Sequence, residues 1–241
     1  MTAEFSYIVF TDFDGTITRN DIGDSMFKVF GARKEAAVGS LVEEGAPAGA
    51  QDYWRRSCAA VSSLSPEMFY SFLDIQEIDE GFHRFEKFCS DKLIPVHVLS
   101  DGFDVYIERI LRREKLGHLP VSSNTLSIGT DGTITPGFPY TDAECALCAN
   151  CKRNHVLTKS GDQHIIIYIG NGRSDCCPAR YADVVFAKDS LLKFCERENV
   201  TYYRFETFND VLEKFKGIVE HGWPRKRRTA ELARKEMFMR G

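Results

Sequence analysis

Tyr7–Asp21 reads YIVFTDFDGTITRND. Tyr7, Ile8, Val9 and Phe10 form an apolar, β-branched and aromatic run, the composition of a buried strand. The run stops at Asp12; Phe13, a second aspartate (Asp14) and Gly15 follow. Two carboxylates at the end of a buried strand are costly unless something offsets their repulsion. A divalent cation does so, and a hard cation such as Mg²⁺ prefers oxygen ligands. Gly15 allows the tight turn a backbone makes beside a bound anion. The plain alternative is a strand-to-turn junction with two solvated aspartates, and the strand context weighs against it.

At 241 residues the chain can form one sizeable core plus a smaller lid-like domain. With 43% hydrophobic and 27% charged residues it has the composition of a globular protein. The net charge of −4 gives no global reason to expect nucleic acid or an anionic membrane surface as a partner. No apolar run approaches the ~20 residues of a membrane span, and the N-terminus lacks a signal-peptide pattern. The expectation is therefore cytoplasmic, and the eight cysteines read as buried thiols or metal ligands rather than disulfides.

From Ile22 to Asp91 the periodicity is helical. Ile22, Met26, Val29 and Phe30 share a face, as do Trp54, Cys58 and Val61, and then Phe82, Phe85, Phe88 and Cys89. Gly45–Ala50 (GAPAGA) and Ser65–Pro66 punctuate the stretch. Buried strands are predicted at Ile94–Leu99, ending in Ser100, and at Ile165–Ile169, leading into Gly170–Asp175 (GNGRSD). Val121–Leu126, Val184–Phe186 and Tyr202–Arg204 read as further strands, and the TDGTI turn within Leu126–Tyr140 as a small hairpin. Helical patterns follow Ser100, start near Cys151, and run from Phe208 to Val219. Alternating helices and continuously apolar strands predict an α/β fold: a doubly wound parallel sheet, Rossmann-like, with a small helical cap inserted after the first strand and a short β-hairpin. The expected partition is 1–18 and 92–220 for the core, 19–91 for the cap and 221–241 for a basic tail. Ligands bind such sheets at the carboxyl ends of the strands, which is where Asp12, Ser100 and Asp175 fall.

Asp12–Thr16 (DFDGT) resembles the first motif of the haloacid dehalogenase-like phosphohydrolases. The resemblance implies that Asp12 is the nucleophile and Asp14 the general acid and base. Ser100-Asp101-Gly102 resembles the second motif, whose hydroxyl and backbone N–H groups hold phosphate oxygens. Lys152 resembles the third-motif lysine, a cation that offsets the charge of the nucleophile and phosphoryl group; Arg153 is a competing assignment. The fourth motif is usually G-D-x-x-x-D, and this chain has Gly170-Asn171-Gly172-Arg173-Ser174-Asp175. The resemblance places Asp12, Asp14, Asn171 and Asp175 around Mg²⁺. Asn171 offers a carbonyl oxygen but no charge, so metal affinity should fall.

The order of motifs resembles the phosphoserine-phosphatase-like branch. Lys152-Arg153-Asn154-His155, with the segment that follows Gly170, looks closest to the methylthiopentenyl-phosphate phosphatases of methionine salvage. This implies a Mg²⁺-dependent phosphatase of a small phosphorylated metabolite, with a cap that closes over the substrate. A mutase or phosphotransferase of the same superfamily, or a catalytically weak phosphometabolite-binding protein, are the rivals. Asp21 stands where phosphoserine phosphatases carry an amine-recognising glutamate, and Arg55 and Arg56 stand near a recognition arginine; exposed helix charges are the simpler account. Cys145, Cys148 and Cys151 form C-x₂-C-x₂-C before Lys152, with Cys176 and Cys177 beside the fourth motif. Structural zinc would need a fourth ligand and a different spacing, so buried or redox-sensitive thiols are expected. Arg225–Arg228 could bind an acidic surface or a second subunit, which leaves a homodimer open; a solvated terminal helix is the simpler reading. Trp223 is expected to pack on the core.

Overall fold

The computed structural model describes residues 6–31, 49–143, 148–221 and 225–240. Trp223, Cys145 and most of the Gly45–Ala50 segment lie outside the described residues. The chain divides into two compact units, Met1–Ile17, Ile78–Leu99 and Lys152–Gly241 in the first, and Thr18–Glu77 and Ser100–Cys151 in the second.

In the first unit, β1 (Ser6–Thr11) lies between β2 (Val96–Phe103) and β5 (His164–Gly170), parallel to both. Beyond β5, parallel pairing continues to β6 (Val184–Ala187) and β7 (Tyr203–Arg204). Ile8, Val9 and Phe10 are buried, as the unbroken apolar run predicts for a strand covered on both sides. Phe10 and Tyr168 pack in one core with Val156 of α6 (Lys152–Lys159) and with Leu191 and Phe194 of α8 (Asp189–Arg197). Another layer joins α4 (Glu80–Asp91) to α9 (Phe208–His221). Ring centroids there are 4.8 Å apart for Phe82–Phe208 and 5.8 Å for Phe85–Phe215, and Tyr7 meets Phe215 edge-on. Each such buried ring stabilises the layer by about 2 kcal/mol. Gly81 permits the close approach, because a Cβ there would stand 2.6 Å from the Asn209 backbone nitrogen.

The second unit holds α1 (Ile22–Phe30), α2 (Ala50–Ala59), α3 (Pro66–Asp74), α5 (Asp104–Arg113) and the antiparallel pair β3 (Val121–Ile128) and β4 (Ile134–Gly137). Within the first unit the strand order is β2-β1-β5-β6-β7. Trp54 of α2 packs against Phe103 at 5.0 Å and closes on Gly23, where a Cβ would meet the indole at 2.9 Å.

Several details differ from the sequence reading. The strand expected to end at Ser100 runs on to Phe103. Val29, placed on one face with Ile22, Met26 and Phe30, is 59% exposed, whereas Ile22 and Met26 of that face are buried. The helix Glu80–Asp91, expected in the cap, belongs to the first unit through its aromatic layer with α9. Residues 100–151, expected in the core, group with 18–77. The basic tail forms α10 (Arg228–Arg240) and is not simply solvated. Asp183 accepts from the Arg227 backbone N–H and from the Arg234 guanidinium, each at 3.0 Å, and from the Ile166 N–H. Arg227 also donates to the carbonyls of Ala179 and Arg180. No described helix is long and apolar enough to cross a membrane.

Candidate active site

The site of the first unit is built where β1 and β5 end. Asp12 follows β1 directly, and its N–H is held by the Ile169 carbonyl at 2.9 Å. The chain then turns sharply. Gly15 adopts a left-handed φ of 69°, and a Cβ there would stand 2.6 Å from Asn171 Nδ2. Thr16 brings its hydroxyl back to the strand end, 3.1 Å from Asp12 Oδ2 and 3.1 Å from Asn171 Oδ1. Asp14 lies half-buried on the same turn.

Lys152, the first residue of α6, is 1% exposed. Its Nζ lies 2.5 Å from Asp12 Oδ1 and 2.8 Å from Asp175 Oδ1. Asp175 is fully buried, and each carboxylate oxygen accepts two hydrogen bonds. Oδ1 takes those of Lys152 and of the Tyr168 hydroxyl (2.7 Å); Oδ2 takes the backbone N–H groups of Asn171 (3.1 Å) and Gly172 (2.9 Å). Burial, reinforced by the charge of Asp175 and opposed by Lys152, pushes the Asp12 carboxyl up to about 7. Burial disfavours the Lys152 ammonium, but Asp12 and Asp175 outweigh it and hold the pKa above the ordinary lysine value.

One buried ammonium thus faces two buried carboxylates, leaving an excess of negative charge. Asp12 Oδ2 and Asn171 Oδ1 both approach the Thr16 hydroxyl, and Asp14 follows on the same turn. An oxygen-only donor set with surplus negative charge fits a hard divalent cation. The same residues could accept a phosphoryl group, because Lys152 orients the Asp12 carboxylate and supplies a fixed positive charge.

The model of the Putative Phosphatase family matches residues 7–192. The chain belongs to this phosphatase family. It is 31% identical over 222 residues to the 2-hydroxy-3-keto-5-methylthiopentenyl-1-phosphate phosphatases of Bacillus thuringiensis and Bacillus cereus, covering 88% of this chain and 97% of each relative. A phospho-aspartyl intermediate analogue of phosphoserine phosphatase superposes with a TM-score of 0.65 at 19% identity, over 88% of this chain and 99% of that one. A HAD family hydrolase from Salmonella enterica gives 0.69 at 16% identity, over 91% and 73%. The fold is the one shared by that phosphoserine phosphatase and that HAD family hydrolase.

In the phosphatase's second unit, the Ser100 hydroxyl accepts from the Gly102 N–H at 2.9 Å, so that N–H, expected to face a ligand, is engaged within the chain. α5 begins only at Asp104, beyond the segment expected to open the helix. Asp101 Oδ1 accepts the Asn150 N–H at 2.7 Å. Asp21 is the N-cap of α1, its Oδ1 accepting the Asp24 N–H at 2.8 Å. Arg56 pairs with Asp52 one turn away on an exposed face, and Arg55 stacks over Phe138. Cys151 is buried with its Sγ 3.9 Å from Asp142 Oδ2, and among the described residues no three His, Cys, Asp or Glu side chains group as a metal site. The sequence reading missed Thr16, Tyr168 and Asn150. Tyr168 had a signal, as the one hydroxyl among the isoleucines of Ile165–Ile169.

Proposed function

We propose that this phosphatase hydrolyses a small phosphomonoester through an aspartyl-phosphate on Asp12. The supporting observation is the buried Asp12–Lys152–Asp175 array at the end of β1. An Asp12 oxygen attacks phosphorus and the bond from phosphorus to the leaving oxygen breaks; that oxygen takes a proton from Asp14. Asp14 then removes a proton from water, whose oxygen attacks phosphorus; the bond from phosphorus to the Asp12 oxygen breaks, which releases inorganic phosphate and restores the Asp12 carboxylate. Lys152 offsets the phosphoryl charge, and the Ser100–Gly102 segment offers the Ser100 hydroxyl to phosphoryl oxygens. Asp12, Asp14 and Asn171 would hold Mg²⁺, which supplies charge neutralisation when bound. The four donors around Asp175 favour anchoring of Lys152 over direct metal coordination.

We assign the methylthiopentenyl phosphate named for the Bacillus relatives as the substrate class, and a role in methionine salvage and a cytoplasmic location belong to the same proposal. Asp21 and Arg56 are candidates for recognising its non-phosphate part, although both have partners on their own helices. Asn171 favours a second reading, a weakly catalytic phosphometabolite-binding protein. A screen of phosphorylated metabolites for Mg²⁺-dependent release of free phosphate separates the two, and also separates a phosphatase from a mutase. Asp12→Asn should abolish turnover and leave the fold intact, since the amide is nearly isosteric and cannot attack phosphorus. Residual activity within about tenfold of wild type, a loss of only about 1.4 kcal/mol in barrier, would sink the mechanism.

A further inference from the structure

Asn150 lies two residues before Lys152 and is completely buried. Its Nδ2 donates to two backbone carbonyls, Ser100 at 2.7 Å and Ser122 at 2.8 Å, on the neighbouring strands β2 and β3. Its backbone N–H donates to Asp101 Oδ1 at 2.7 Å. A second buried amide, Asn124, donates from Nδ2 to the Asp101 carbonyl at 2.7 Å. Three acceptors of the Ser100–Asp101 pair are therefore fixed by two asparagines. A carboxamide suits the position because it offers two coplanar hydrogens without a charge. A carboxylate would turn lone pairs towards two carbonyls, and an apolar side chain would leave both carbonyls buried without this partner.

We infer that Asn150 is a positioning residue that sets the backbone plane of Ser100–Asp101–Gly102 and thereby aims the Ser100 hydroxyl at phosphate. The inference rests on the proposed assignment of that segment to phosphate binding. It also gives the Cys148–Cys151 segment a task that needs no metal: Cys151 is tied by its N–H to the Tyr140 carbonyl at 2.8 Å, which helps hold Asn150 between the strands. Hydrogen bonds of this kind define an orientation to a fraction of an ångström, which phosphoryl recognition requires.

The test is competitive inhibition by inorganic phosphate during hydrolysis of p-nitrophenyl phosphate by the full chain, together with a melting curve for each variant. Asn150→Asp and Asn150→Ala should each weaken phosphate inhibition by about tenfold while retaining a cooperative melt. Ser100→Ala should weaken it similarly. The Ser100→Ala/Asn150→Ala double variant should match Ser100→Ala within about twofold, because a residue acting through Ser100 has nothing left to align. Wild-type inhibition in both Asn150 variants, or fully additive effects, overturns the inference. Loss of the cooperative melt in both Asn150 variants also overturns it, since Asn150 would then be holding the unit together. Unchanged inhibition in Ser100→Ala with weakened inhibition in Asn150→Asp removes the Ser100 assignment and leaves Asn150 positioning the backbone.

Discussion

Asn171→Asp should strengthen magnesium binding and weaken the metal-free fold at the same time. Thr16 Oγ1 lies 3.1 Å from Asp12 Oδ2 and 3.1 Å from Asn171 Oδ1, so those two oxygens are within about 6 Å of each other. A second carboxylate at that separation repels Asp12 by about 3 kcal/mol at an effective dielectric near 20. Lys152, 2.5 Å from Asp12, cancels part of this, which leaves about 1–2 kcal/mol of destabilisation without metal. A cation among the same oxygens reverses the sign. At ~4 Å an added negative charge attracts it by about 4 kcal/mol per unit of cation charge before desolvation, and a net gain of about 1–2 kcal/mol is about tenfold in affinity.

Two measurements check this. The Mg²⁺ concentration giving half-maximal phosphate release should fall about tenfold, with the maximal rate changing less. The rise in melting temperature on adding saturating Mg²⁺ should be larger in Asn171→Asp than in wild type, and this second reading does not depend on turnover. An unchanged or raised magnesium requirement, with an unchanged thermal shift, would mean that Asn171 does not face the metal. The ligand set would then have to be rebuilt around Asp12, Asp14 and Asp175.

Tyr168→Phe removes one of four donors to Asp175, so kcat should fall by about three- to tenfold through a less firmly held Lys152, while KM changes little; a matching rise in KM with constant kcat would contradict this. Arg234→Met removes the guanidinium partner of a buried carboxylate, and urea unfolding should show a loss of about 2–4 kcal/mol. A change under about 0.5 kcal/mol would mean that α10 is not anchored through Asp183. Burial, with smaller contributions from Lys159 and His97, lowers the pKa of His155 from 6.5 to about 4. The unfolded state then binds the extra proton between those values, so stability is full above about pH 6.5 and is lost as pH falls towards 4. After allowance for solvent screening the loss is about 1–2 kcal/mol, and His155→Gln should flatten that part of the stability profile.

The sheet was legible because strands buried on both faces must be continuously apolar, and Tyr7–Phe10 and Ile165–Ile169 are. The end of β2 was not. Ser100-Asp101-Gly102 contains the polar residue and glycine that normally close a strand, yet the strand continues to Phe103. Its polar groups are satisfied by Asn124 and Asn150, residues 23 and 49 positions from Asp101 along the chain. The tail misled for the same reason. A run of arginines and lysine reads as a solvated face unless its acceptor is known, and Asp183 lies 44 residues before Arg227.

Lys152 and Arg153 show where periodicity stops and geometry decides. Both are cations at the start of one helix, and either could have faced the aspartates. Successive residues on a helix point about 100° apart, so only one of the two can face inward. His155 and Val156, three and four positions after Lys152, are buried and put the inward stripe on Lys152. Arg153 is half-buried and donates to Asn154 Oδ1 at 3.2 Å. A guanidinium at 152 would also be a poor substitute. The ammonium reaches Asp12 at 2.5 Å and Asp175 at 2.8 Å from one compact centre, whereas a planar fork would need wider spacing between the two carboxylates. Lys152→Arg should therefore cost kcat nearly as much as Lys152→Met, at least about a hundredfold, because charge without that point geometry cannot serve both carboxylates. Activity of Lys152→Arg within about tenfold of wild type would show that charge alone suffices and that the spacing around Lys152 is not what the site requires.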